Sequence, residues 1–128
     1  MARVLIIDDD VTLRQVLTKH LERAGHDVRQ AARGDEGIRA YQRRAADVVI
    51  VDILMPGQGG LQTIDQLRRA APAVKIVAMS GATRAGSLDV AGHATALGAD
   101  HFLSKPFEAA ELVTLVATLL GPTEGQAP

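Results

Sequence analysis

The stretch Ala46-Asp47-Val48-Val49-Ile50-Val51-Asp52-Ile53-Leu54-Met55-Pro56-Gly57 decides the fold of this 128-residue chain. Val48 to Val51 are β-branched without interruption, which reads as a strand buried on both faces. The strand runs straight into Asp52, and Pro56-Gly57 then breaks the chain. A carboxylate at the carboxyl end of a central strand, beside a turn, stands where open α/β sheets bind their ligands. Taken alone, Asp52 reads equally well as a strand-ending or helix-capping residue. Its meaning depends on what the rest of the chain brings to the same edge.

On either side, short aliphatic runs alternate with helical periods. Val4-Leu5-Ile6-Ile7 reads as strand 1 and ends in Asp8-Asp9-Asp10. Leu13, Val16, Leu17, His20, Leu21 and Ala24 follow a helical spacing that Gly25 stops, giving helix 1. A weak strand 2 falls around Asp27 to Ala31, and Ala32-Arg33-Gly34-Asp35 reads as a loop. Helix 2 carries Ile38, Tyr41 and Ala45 on one face. Beyond the opening stretch, Gly57-Gln58-Gly59-Gly60 reads as a flexible loop into helix 3, whose Leu61, Ile64, Leu67 and Ala71 point inward and which Pro72 ends. Lys75 to Met79 is strand 4, closed by Ser80-Gly81. Gly86 and Gly92 fall within or beside helix 4, and a glycine weakens a helix by about 1 kcal/mol relative to alanine, so a short or mobile helix 4 is expected. His101 to Ser104 is strand 5, Lys105-Pro106 follows, helix 5 spans about Phe107 to Leu120, and Gly121 to Pro128 is a frayed tail. Five β–α units in series imply an α/β fold with a parallel sheet, right-handed crossovers and helices on both faces. Residues 1–121 are expected to form one domain and residues 122–128 a disordered tail.

Composition narrows the function. Apolar residues make up 47% and charged residues 23%, a globular balance. The formal net charge of −1, without a long basic run, gives no generic attraction to nucleic acid or anionic membrane. The absence of cysteine excludes disulfides, thiol catalysis and thiolate metal sites. Val4 to Ile7 is too short for a signal peptide or a membrane span, so a cytoplasmic protein is expected. The four histidines (His20, His26, His93, His101) show no metal-site spacing. His20 reads as a core or boundary residue.

The chemistry gathers at the strand ends. Strand 1 ends in three acids, strand 3 in Asp52, strand 4 in Ser80 and strand 5 in Lys105. In a parallel sheet these ends share one edge. Clustered carboxylates repel, so they call for a cation, and an all-oxygen site with open positions suits Mg²⁺. Lys105 supplies a point charge for a phosphate, and Ser80 a hydroxyl. An Asp so surrounded is equipped to attack a phosphoryl group and form an acyl phosphate. Residue by residue, blander roles stand beside this one: Asp10 as the cap of helix 1, Lys105 as a solvated lysine, Ser80 as a turn residue.

The set Ile7-Asp8-Asp9, Val51-Asp52-Ile53-Leu54-Met55-Pro56, Met79-Ser80-Gly81 and Lys105-Pro106-Phe107 resembles the receiver domain of bacterial two-component response regulators, over roughly residues 3 to 120. The resemblance implies a flavodoxin-like fold with strand order 2-1-3-4-5. It implies that Asp52 accepts a phosphoryl group from a histidine kinase or phosphotransfer protein, and that Asp8, Asp9, Asp52 and the Leu54 carbonyl hold Mg²⁺. Ser80 would then be the switch hydroxyl, Lys105 its cationic partner, and the Lys105-Pro106 bond cis. The family's switch aromatic falls on Phe102, which lacks a hydroxyl and reads equally as core packing. The loop Ala82 to Asp89 looks longer than in compact chemotaxis-type receivers.

Leu112, Leu115, Val116 and Leu119 give helix 5 a core face, with Val113 and Leu120 beside it. That extra strip is either a wide buried face or part of a partner or homodimer surface, which the family commonly places on helix 4, strand 5 and helix 5. The expected function is a phosphorylation-controlled switch rather than a metabolic enzyme, acting on a downstream protein whose identity is unknown. With no DNA-binding effector segment, the chain reads as a stand-alone receiver or phosphorelay intermediate, or equally as a receiver excised from a longer regulator. A haloacid-dehalogenase-type phosphatase using Asp8 and Asp10 is the competing reading. A nucleotide binder is disfavoured, because three acids after strand 1 would repel a phosphate.

Overall fold

The computed structural model describes residues 2–53, 59–81 and 90–121. Five strands, β1 (Arg3–Ile7), β2 (Asp27–Ala31), β3 (Val48–Asp52), β4 (Lys75–Ser80) and β5 (His101–Ser104), alternate with five helices. These are α1 (Val11–Arg23), α2 (Gly34–Arg43), α3 (Gly60–Ala70), α4 (Val90–Leu97) and α5 (Ala109–Leu120). The sheet is parallel throughout in the order β2-β1-β3-β4-β5, the expected doubly wound architecture.

β3 lies at the centre, and all of its residues are buried. Strand side chains alternate faces. Val49 and Val51 accordingly enter the core under α2, α3 and α4, with Ile64, Leu67 and Ala94, while Val48 and Ile50 enter the core under α1 and α5, with Leu17, Leu21, Leu112 and Val116. One unbroken β-branched run therefore serves two cores. β2 is an edge strand with Arg29 and Gln30 exposed, which explains its weak apolar pattern.

The helices depart from the sequence reading in instructive ways. Val16, expected inward, is 42% exposed, and Ala24 is an exposed C-cap, whereas Thr18 is buried with its hydroxyl donating to the Arg14 carbonyl at 2.7 Å. A hydroxyl satisfied by its own helix can be buried, which an apolar pattern does not register. His20 is half-buried, with Nδ1 2.9 Å from the Val16 carbonyl oxygen, as a boundary residue. α2 begins at Gly34, inside the expected loop, and ends before Ala45, which is exposed. α5 begins at Ala109 rather than Phe107. α4 is described from Val90 to Leu97. The loop Ala82 to Asp89, Gly86 within it, and residues 122–128 lie outside the described residues.

Gly60, a loop residue by its sequence, opens α3, and a Cβ there would meet the Asp52 carbonyl oxygen and the Ile53 Cα, with the Asp52 carbonyl carbon at 2.9 Å. These are backbone atoms at the end of the central strand and just beyond it, and they cannot yield. Gly60 thereby lets α3 start directly above the end of β3, and its N–H donates to the Ile53 carbonyl at 3.0 Å. At the other end of the sheet, His26 Nδ1 accepts the Ala2 N–H at 3.3 Å, and burial, then the amino-terminal charge, holds its pKa below the usual imidazole value.

Gly60→Ala should therefore lower stability by about 1–3 kcal/mol, the range for forced overpacking. Gly59→Ala, whose Cβ would meet nothing within 4 Å, should stay within about 0.5 kcal/mol; urea denaturation of both variants reads the contrast. For His26 the unfolded ring binds protons more readily than the folded one, so its contribution is present above about pH 6.5 and is lost as pH falls towards the depressed folded pKa. Denaturation midpoints of the parent and a His26→Gln variant should diverge less at pH 5 than at pH 8.

Candidate functional site

The register of the sheet builds the site. Ile7 pairs with Val51, so Asp8 and Asp52 follow side by side at the ends of neighbouring strands. Asp52 pairs with Met79 and Ser80 with Ser104, which sets Ser80 and Lys105 one step further along the same edge. The Lys105 N–H donates to the Ser80 carbonyl at 2.9 Å, and the Lys105-Pro106 peptide bond is cis, as expected.

Asp8 is fully buried, Asp52 is 4% exposed and Ser80 is fully buried. Lys105 Nζ stands 3.2 Å from Asp8 Oδ2 and 3.4 Å from Asp52 Oδ2, so one ammonium serves two buried carboxylates. The second Asp8 oxygen accepts the Asp10 N–H at 2.9 Å. Asp9 is exposed, and single oxygens of Asp8, Asp9 and Asp52 all lie within 4.8 Å of one another. Like charges about 4 Å apart repel by about 4 kcal/mol at an effective dielectric of 20. One lysine offsets only part of that. The donor set is all oxygen and negatively charged, and one member faces solvent, so the residues fit a hard divalent cation with an open side for a ligand.

The structure separates the triple acid run. Asp10 turns away as the N-cap of α1, its Oδ1 accepting the Leu13 N–H at 3.1 Å. That geometry removes the second carboxylate which the phosphatase reading required. Phe102 is half-buried and packs against the core beneath α3 and α4. Leu54, and with it Met55-Pro56-Gly57, lies outside the described residues.

Arg14 is a contributor that the sequence reading did not identify. Its Nη1 donates to the Asp8 carbonyl at 2.7 Å and its Nε to Gln30 Oε1 at 3.0 Å. Its position after Leu13 on the helical period could have flagged a residue facing the strand ends, but an arginine there reads as solvated surface. A second arginine organises the opposite end of the sheet. Arg68 donates to the carbonyls of Pro72, Val74 and Gly98 and pairs with Asp100 at 2.8 Å.

The sequence profile of the response regulator receiver domain matches residues 4–117. Protein PilH of Pseudomonas aeruginosa is 37% identical over 94% of this chain and 100% of its own length. The DNA-binding transcriptional regulator NtrC of Azospirillum brasilense is 35% identical over 93% of this chain and 24% of its own length. The solved structure of the chemotaxis protein CheY4 of Vibrio cholerae aligns with a TM-score of 0.85 at 30% identity, covering 93% of this chain and 98% of that one. The chain spans between 24% and 51% of the length of several curated relatives it matches. Among the described residues no helix is long and apolar enough to cross a membrane.

Removing the shared ammonium exposes the repulsion it masks. Lys105→Met should destabilise the cation-free protein by about 3 kcal/mol, the low end for taking one partner from a buried pair. Added divalent cation should restore more stability to the variant than to the parent, read as the shift in thermal midpoint on titration.

Proposed function

The chain belongs to the response regulator receiver family of two-component systems, and from that premise we propose that Asp52 is its phosphoacceptor. The donor would be the phosphohistidine of a histidine kinase or phosphotransfer protein. One observation carries this reading: Asp52, buried at the sheet edge, shares the Lys105 ammonium with Asp8 and stands beside the Asp9 carboxylate. An Asp52 oxygen attacks phosphorus, an O–P bond forms, and the P–N bond breaks with its electron pair left on the histidine nitrogen. Asp8, Asp9 and Asp52 would hold Mg²⁺, with the Leu54 carbonyl as the further ligand inferred from the family motif. When bound, the ion neutralises charge on the transferring phosphoryl oxygens. Lys105 can give its ammonium to a phosphoryl oxygen in exchange for the carboxylates it now holds.

The family is one of signalling domains rather than classical enzymes. Besides taking a phosphoryl group from phosphohistidine, the chain would catalyse only its own phosphorylation from small donors and the loss of its own phosphoryl group. A phosphoryl group brings about −1.5 to −2 charges to the edge by analogy with other phosphoresidues. Ser80, at the adjoining strand end, would be the hydroxyl that answers it, and Phe102 on the next strand would move with it. Their displacement would alter the α4–β5–α5 face, which would carry the downstream protein target or a homodimer contact. Support for that face comes from its composition: α5 is apolar well beyond Leu112 and Val116, with Val113, Leu115, Leu119 and Leu120 only partly buried.

Incubation with a small phosphodonor such as acetyl phosphate and Mg²⁺ should add one phosphoryl group, seen by intact mass. Asp52→Asn should reduce the yield to background. A normal yield from that variant refutes the assignment.

A further inference from the structure

The amide and the carboxylate of Asp8 are held from three sides. Its N–H donates to the Ala31 carbonyl at 3.1 Å, its Oδ1 accepts the Asp10 N–H at 2.9 Å, and its Oδ2 meets Lys105 at 3.2 Å. Asp9 is different. It is exposed, yet its carboxylate lies within 4.8 Å of the two buried ones, where like charge repels it. The direction of its main chain sets whether that side chain can reach the two buried ones.

The Asp8 carbonyl belongs to the peptide unit that carries the Asp9 nitrogen, so its direction sets the plane from which Asp9 departs. Arg14 holds that carbonyl at 2.7 Å from α1, while its Nε reaches Gln30 on the edge strand at 3.0 Å. The guanidinium is a rigid planar fork, and its two bonds tie the loop to β2 in one geometry. We infer that Arg14 is a positioning residue of the cation site, fixing the Asp8–Asp9 peptide so that the Asp9 carboxylate joins Asp8 and Asp52. The inference rests on the divalent-cation reading of those three acids.

The two physical roles of Arg14 have opposite signs. As a nearby positive charge it opposes cation binding, and its removal would tighten binding. As a positioning residue it favours binding, and its removal weakens it. Mg²⁺ affinity of the full chain, by isothermal titration calorimetry, distinguishes them. Arg14→Met should weaken binding about tenfold, the lower range for a group that orients a ligand. Arg14→Lys keeps the charge but not the fork and should weaken binding to a similar degree. Gln30→Ala, which leaves the charge and removes the second anchor, should weaken binding about two- to threefold. In phosphorylation from a small donor, Arg14→Met should need more Mg²⁺ for half-maximal rate and recover the parent rate at saturation.

Affinity in Arg14→Met equal to or tighter than the parent overturns the inference, as does parent-like affinity in Arg14→Lys. A lower urea midpoint with unchanged Mg²⁺ affinity overturns it too, by making the role merely structural. Should Arg14→Met fail to fold, Arg14→Lys and Gln30→Ala decide. A parent protein that binds no Mg²⁺ sinks the cation reading itself, whatever the variants do.

Discussion

Two buried carboxylates, Asp8 and Asp52, share the ammonium of Lys105, and this arrangement governs the rest of the molecule. Burying an ionised carboxylate is expensive unless it is paired and hydrogen-bonded. The pairing is available only because three strand ends are brought abreast. β1 and β3 must be neighbours in parallel register for the acids to meet, and β5 must lie two strands from β3 for the long lysine to reach back to both. The crossover helices that build such a sheet also bury it on both faces.

That burial leaves the charges of the site closely coupled. Asp8 and Asp52 sit at the ends of strands whose side chains are almost wholly inaccessible, so a change of charge on either is screened less than at the surface. One ammonium against three carboxylates leaves a negative excess, which a cation can relieve. Adding a phosphoryl group to Asp52 would change the balance again, and Ser80 ends β4 while Lys105 follows β5, the two strands that lead from this edge to α4 and α5. Close packing transmits such a change because cores are not continuously deformable. Gly60 shows how little slack there is: α3 starts so close above the Asp52–Ile53 backbone that a single methyl group does not fit.

Much of this was legible in the residues. Val48 to Val51 announced a central strand, and the strand ends carried acids, a hydroxyl and a lysine in an order that only a parallel sheet would unite. The strand order and the cis Lys105-Pro106 bond agree with the receiver resemblance. The errors were local. Val16 fitted the helical period but lies outside the contact with the sheet, because a helix buries only the stripe that faces its neighbour. Gly34 and Gly60 read as loop because glycine is a poor helix former, whereas each opens a helix at a buried position. A pattern counts propensities and does not see a steric demand from another element.

The sequence by itself determined which groups reach the sheet edge, because strand length and strand order place each residue that follows a strand. Only the tertiary structure decided how the groups divide there. Asp8 and Asp52 are buried and paired, Asp9 faces solvent within reach of both, and Asp10, identical in kind, turns back to cap α1. Arg14, silent in the pattern, takes the Asp8 carbonyl. The reason is physical: adjacent residues leaving a strand point in different directions, and which direction meets a cation, a helix end or water is fixed by segments far away in the chain.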